Sequence, residues 1–329
     1  MGDDIQRIYG FIGAVSDLFA KVKLKYSSKE FTFRTNYRFP TNPGISALDT
    51  LFRDYGEHYQ ASSNSACMNL NVFHNNAQEV DFIVNGISNI LDNTEDKVAV
   101  LVRAGYQGND LAKALDDKKI KYFNCLYKET DSEFERFYAI AIEEFHKATI
   151  NGKAAIRSLK NCLNTVKSRE ADIVLNARNK YIFDSLFSLL KILFSQAKLW
   201  DCSPEERYNQ VDFTLGNNGL KHMMEYMDER VVLSTIHSAK GLEWQYVIIP
   251  GLVSYGFPPS AICSPCRSVY TNCNEGHKYC TCLFDSRMEK IFKEELSVFY
   301  VALTRAKKMY FLQQIQEIIG GDIQRRHLA

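Results

Sequence analysis

The sequence predicts an α/β protein, a parallel-sheet domain interrupted by a helical insertion. Three observations predict it. Strand-like and helix-like runs alternate through the first third of the chain, the order that builds a parallel sheet covered by helices. From about Thr130 to Asp228 the periodicity is helical, without a clear strand. Strand signals then return at Val231–Thr235, Tyr246–Pro250 and Met309–Leu312, so the last strands of the sheet follow the helical block.

The elements can be justified in order. Glu30–Thr35 is strand-like and runs into the segment NYRFP, and Asn42–Asp54 has helical periodicity. Asn69–Phe73 reads as a strand and Gln78–Leu91 as a helix. Lys97–Arg103 (KVAVLVR) is a nearly continuous apolar run, as expected for a strand buried on both faces. Asn109–Lys118 is helical and Lys121–Cys125 strand-like. Glu133–Ala148, Lys153–Thr165, Asp172–Ala197 and Gly219–Met227 read as the helices of the insertion.

Composition excludes several classes of function. Apolar residues make up 46% of the chain and charged residues 24%, an ordinary balance for a globular protein. Forty basic residues against thirty-nine acidic ones leave almost no net charge, so any nucleic-acid contact must come from a local groove rather than a global positive field. The acidic, polar start is not expected to act as a signal peptide. The longest apolar stretch, Tyr181–Phe194, is interrupted by Asp184, Ser185, Ser188 and Lys191 and is too short to span a bilayer. No membrane partner and a cytoplasmic location are expected.

Two segments near the C-terminus carry the most specific signal. Val231–Val247 reads VVLSTIHSAKGLEWQYV and Glu294–Lys307 reads EELSVFYVALTRAK. Each is an apolar run ending in a dense polar cluster. Together they resemble the last two signature motifs of the UvrD/Rep/PcrA helicases, superfamily 1 DNA translocases. Gly2–Ala14, GDDIQRIYGFIGA, resembles that family's third motif.

The resemblance implies a RecA-like (P-loop NTPase-type) second motor domain. Its expected organisation is a remnant of the first motor domain at 1–29, the first part of the second at 30–128, a shortened 2B-like helical insertion at 129–228, and the completing part at 229–329. It also implies a chemistry. The second domain of such a motor supplies cations that sense the γ-phosphate of ATP, and arginine suits this because its planar fork pairs with two phosphate oxygens at once.

By resemblance Arg38 and Arg305 face the γ-phosphate, Gln6 links hydrolysis to domain movement, and Tyr37 stacks on the adenine. Glu243 holds the ribose hydroxyls, and Gly241 permits close backbone approach to the phosphates. Thr235, His237 and Ser238 follow a strand end and would meet a DNA backbone. Tyr9 and Phe11 would stack on single-stranded bases. The family usually has tryptophan at the Phe11 position and arginine at the Ile12 position. Phe11 keeps a stacking surface, but Ile12 cannot pair with phosphate.

The sequence contains no G-x-x-x-x-G-K-[ST] phosphate loop, and no acidic Mg²⁺-binding segment at a strand end is read in it. In the family both lie upstream of the GDDIQ segment. The expectation is therefore the C-terminal half of an ATP-dependent 3′-to-5′ DNA helicase, inactive alone. Its nucleotide would be ATP with Mg²⁺ in the full enzyme, and its partners single-stranded DNA and a separate or upstream N-terminal motor half. The alternative is a non-catalytic nucleic-acid or partner-binding module derived from a helicase.

Five of the nine cysteines fall within Cys263–Cys282, after a GxFP-like turn at Gly256–Pro259. A cluster in a large chain without an export signal suggests metal rather than a disulfide scaffold. Cys263, Cys266, Cys280 and Cys282 are the expected tetrahedral Zn²⁺ ligands, with Cys273 and His277 as alternates. An iron–sulfur cluster and a set of free thiols stay open as alternatives.

Overall fold

The computed structural model describes residues 18–29, 31, 35–36, 60–61, 67–252, 257 and 286–315. Its helices are α1 (Leu18–Tyr26), α2 (Asn76–Asn93), α3 (Asn109–Asp117), α4 (Ser132–Ala148), α5 (Ile156–Ser168), α6 (Glu170–Ile173), α7 (Lys180–Leu199), α8 (Pro204–Gly216) and α9 (Ser286–Leu303). Its strands are β1 (Thr35–Asn36), β2 (Gln60–Ala61), β3 (Cys67–Phe73), β4 (Val98–Val102), β5 (Phe123–Cys125), β6 (Val231–Thr235), β7 (Trp244–Leu252) and β8 (Ala306–Ile315). The chain forms two compact units, one of residues 1–103 with 243–329 and the other of 104–242. The helix expected at Asn42–Asp54 and most of the strand expected at Glu30–Thr35 lie outside the described residues.

In the first unit four strands lie in the order β3-β8-β7-β4, all parallel. The VAVLV run of β4 is buried at every residue, as a strand covered on both faces requires. Helix α2 starts where Asn75 accepts from the Gln78 amide at 2.9 Å. It buries Val80, Ile83, Val84 and Ile87, one stripe of a 3.6-residue period.

Glu79 sits in that stripe at 2% exposure and accepts from the Gly251 amide at 2.8 Å. Gly251 has φ +70°, a conformation that favours glycine. Burial pushes the Glu79 pKa up to about 7 from 4.5, and the Gly251 hydrogen bond only partly opposes it. The folded pKa lies above the unfolded one, so the folded state holds the extra proton between the two values. Stability therefore falls as pH rises through that window, by about 3 kcal/mol at most. Glu79→Gln keeps the acceptor for Gly251 and removes the charge. It is expected to stabilise the protein by up to that amount at pH 8 and to change little at pH 5. Urea melts at the two pH values check this, and a variant with the wild-type pH dependence would refute it.

In the second unit β5 and β6 pair in parallel, with Phe123 opposite Val232 and Cys125 opposite Ser234. Helices and 3-10 turns fill Ser132–Tyr226. Phe137, Phe145, Phe183 and Phe194 are fully buried among them. Ser185 Oγ donates to the Asn124 carbonyl at 2.6 Å, and the Tyr138 hydroxyl accepts from the Leu220 amide at 3.2 Å.

Two expectations for this block need correction. Asp172–Ala197 is not one helix: α6 ends at Ile173, Val174 is extended, and the Asn176 side chain accepts from the Arg178 amide to start a new turn before α7. The segment expected to be helical at Gly219–Met227 is a 3-10 helix over Gly219–Tyr226. It follows Asn218, at φ +52°, and a Cβ at Gly219 would lie 2.9 Å from the Thr214 carbonyl oxygen. No helix among the described residues is long and apolar enough to cross a membrane.

Candidate nucleotide and nucleic-acid site

The second unit carries the first half of the TIHSAKGLEW string. Strand β6 ends at Thr235, whose Oγ1 donates to Ser238 Oγ at 3.0 Å and accepts from the Ser238 amide at 3.2 Å. The Thr235 carbonyl accepts from the Ala239 amide at 3.1 Å, and the Leu242 amide returns to the Ala239 carbonyl at 3.0 Å. Side-chain oxygens close such turns because they can replace a backbone partner locally. Ile236 and Ala239 are fully buried and anchor the turn, which leaves Thr235, His237 and Ser238 half-buried at the carboxyl end of the strand.

Gly241 has φ +92°, and nothing lies within 4 Å of the Cβ it lacks. Glycine is needed there for the backbone conformation rather than for space.

Beneath this turn lies a polar group that sequence reasoning missed. Cys125 is fully buried, and burial pushes its thiol pKa up. Side-chain hydrogen bonds with Tyr127, Ser234 and Ser238 and the charge of Lys221 oppose that only in part, so the group stays a neutral thiol. Tyr127 is held well above the ordinary tyrosine range by its own burial and then by Cys125. No local pattern announces this network, because β5 and β6 are about a hundred residues apart in sequence.

The first unit carries the rest of the string and the TRAK end of the other motif. The Trp244 amide donates to the Arg305 carbonyl at 2.9 Å, and Trp244 stands opposite Ala306 in the β7–β8 ladder. Glu243 and Lys307 flank that pair and form an ion pair. Two residues singled out in separate motifs, Glu243 and Arg305, thus belong to adjoining segments.

Arg305 itself is turned inward. At 2% exposure, its Nε donates to the Val301 carbonyl at 3.0 Å and its Nη2 to Thr304 Oγ1 at 2.8 Å. Val301 is in the last turn of α9, where free carbonyls attract a cation.

Two further contacts brace the helix that presents Arg305. Arg103, just after β4, grips Glu295 of α9 with two bonds, Nε to Oε2 at 2.7 Å and Nη2 to Oε1 at 2.5 Å. This fork geometry is the strong form of the arginine–carboxylate pair. Phe257 packs edge-on against Phe299 of α9 with ring centroids 5.7 Å apart. Gln6, Tyr9, Phe11, Tyr37, Arg38 and the cysteine-rich loop with Cys263, Cys266, Cys273, His277, Cys280 and Cys282 lie outside the described residues.

The chain is similar to known helicases along most of its length. The chain is 23% identical to a probable DNA helicase II homolog of Mycoplasma genitalium, over 98% of the chain and 51% of the relative. It is 24% identical to the homologous protein of Mycoplasma pneumoniae over the same shares. A probable DNA helicase of Mycoplasma pneumoniae is 24% identical over 63% of the chain and 28% of the relative. The chain spans about half the length of the first two relatives. The model of the UvrD-like helicase C-terminal domain matches residues 124–317, more than half of the chain and both late motifs, and the chain belongs to that family.

Proposed function

We propose that this chain is the C-terminal motor portion of an ATP-dependent DNA helicase or translocase, acting 3′ to 5′. In this reading it forms one wall of a nucleotide cleft and holds single-stranded DNA, while a phosphate-loop half supplies the other wall. The observation that supports it is the β7–β8 ladder. It sets Glu243–Trp244 beside Arg305–Lys307, so a carboxylate suited to ribose hydroxyls and a guanidinium suited to phosphate belong to adjoining segments.

Arg38, Arg305 and Gln6 would sense the γ-phosphate, and Tyr37 would hold the adenine. Thr235, His237 and Ser238 would take the DNA backbone, with Tyr9 and Phe11 stacking on bases. Residues 129–228 would act as an inserted subdomain, and Cys263, Cys266, Cys280 and Cys282 as a Zn²⁺ site. The phosphate-loop lysine and the Mg²⁺ carboxylates are absent from this sequence, so no hydrolysis is assigned to the chain alone.

The test uses the purified chain. Single-stranded oligonucleotide should bind in a fluorescence anisotropy titration, more weakly as salt rises, with no DNA-stimulated ATP hydrolysis. A folded chain that fails to bind at low salt would remove the DNA reading, and turnover by the chain alone would remove the divided-cleft reading. The inward-facing Arg305 favours one competing view, a non-catalytic binding module in which this arginine only caps α9.

A further inference from the structure

The edge that carries Thr235, His237 and Ser238 has one more unusual side chain. Gly105–Gly108 forms a 3-10 turn that packs on β6 in the second unit. Its two glycines allow a very close approach to the segment after β5. A Cβ at Gly105 would fall 2.6 Å from the Leu126 carbonyl oxygen, and one at Gly108 would fall 2.6 Å from Leu126 Cδ1. Gln107 closes the turn from both sides. Its Oε1 accepts from the Ala104 amide at 2.8 Å, and its own amide donates to the Ala104 carbonyl at 3.0 Å.

Tyr106 sits in the middle of this pinned turn at 74% exposure. A tyrosine on a loose loop can fold its ring back onto the protein. Here the backbone is held at Gly105, Gln107 and Gly108, and the ring stands in solvent. A single exposed aromatic residue is ordinary on a protein surface. A rigidly mounted one, on a turn packed against the strand whose end bears hydroxyl and imidazole groups, is not.

We propose that Tyr106 is a base-stacking platform for single-stranded DNA. Phosphates of the strand meet Thr235, His237 and Ser238, and a neighbouring base lies on the phenol ring. The inference rests on the DNA reading given above and adds a residue to it. Stacking on an aromatic ring is sequence-tolerant, because every base has a π-face. The hydroxyl is not needed for it, so phenylalanine should serve as well as tyrosine.

The experiment is an anisotropy titration of the purified chain with a fluorescein-labelled thymidine oligonucleotide and with an abasic oligonucleotide of equal length. Tyr106→Ala is expected to weaken binding of the thymidine strand roughly ten-fold, with an unchanged salt slope because no phosphate contact is lost. Tyr106→Phe should bind as wild type. Abasic DNA should bind wild type and Tyr106→Ala equally. His237→Ala should weaken both oligonucleotides, which marks the parent reading independently. If His237→Ala weakens binding and Tyr106→Ala does not, the stacking platform is overturned and the DNA reading stands. If the folded wild-type chain binds neither oligonucleotide, both are overturned.

Discussion

Replacing Arg305 with alanine is expected to lower DNA-stimulated ATP turnover about 10³-fold, measured on the chain joined to the phosphate-loop half it is proposed to complete. Such a drop is about 4 kcal/mol of lost transition-state stabilisation. The reason is the charge pattern of phosphoryl transfer, in which negative charge spreads over three oxygens and a planar guanidinium can meet two of them.

Arg305 now bonds Val301 and Thr304 instead. To reach a phosphate it must give up these bonds, so the active position would be reached only when nucleotide replaces them. Alanine also strips a partner from the end of α9, and the fold should lose about 1–3 kcal/mol. Arg305→Lys separates the two effects. It keeps a cation near the α9 carbonyls but loses the fork, so turnover should fall sharply while the urea midpoint moves little. If Arg305→Ala lowered stability and left turnover unchanged, this arginine would be a helix cap and the binding-module view would prevail.

The largest expected loss of stability comes from Arg207→Ala, about 3–5 kcal/mol. Arg207 is 8% exposed and donates to three carbonyls, Ala197 at 2.8 Å, Ala154 at 3.1 Å and Cys202 at 3.3 Å. These belong to the end of α7, the turn before α5 and the turn before α8, so one guanidinium ties three segments together. Ala197 is in the last turn of α7, where the helix dipole favours a cation. Alanine leaves the carbonyls without this donor in a space that water enters poorly, and it removes the packed side chain as well.

Arg207→Met restores the volume without the donors and should recover only part of the loss. Urea unfolding followed by far-ultraviolet circular dichroism measures all three proteins. A change below about 1 kcal/mol for alanine would show that water or neighbouring groups replace the guanidinium with little loss.

Arg207 also explains a gap in what the sequence reveals. Helix α8 was not anticipated, because its buried stripe is Arg207, Val211 and Leu215, and an arginine in an anchor position dilutes the apolar period. The start signal was present. Ser203 and Glu206 form a capping box with Pro204 at the first turn. Helices α2 and α4 and strand β4 were legible because their apolar positions repeat within a few residues. The break between α6 and α7 was not, since helical periodicity persists across Val174–Asn179 while the backbone departs from it. At the site, the Thr235–Ser238 turn could be read from its position after a strand. The Arg103–Glu295 fork joins residues 192 positions apart and leaves no local trace.

The sequence by itself determined the element types over most of the described chain, and through contiguous motifs it determined the family. Both are short-range properties, set by spacings of two to four residues and by side chains clustered at strand ends. Only the tertiary structure decided which strands lie side by side, and so that Glu243 meets Lys307. It also decided that Arg305 faces its own helix and that Glu79 lies where burial holds its proton. Periodicity says that a face is buried but not against what. Pairing, rotamer and pKa follow from neighbours that the chain brings together from far apart.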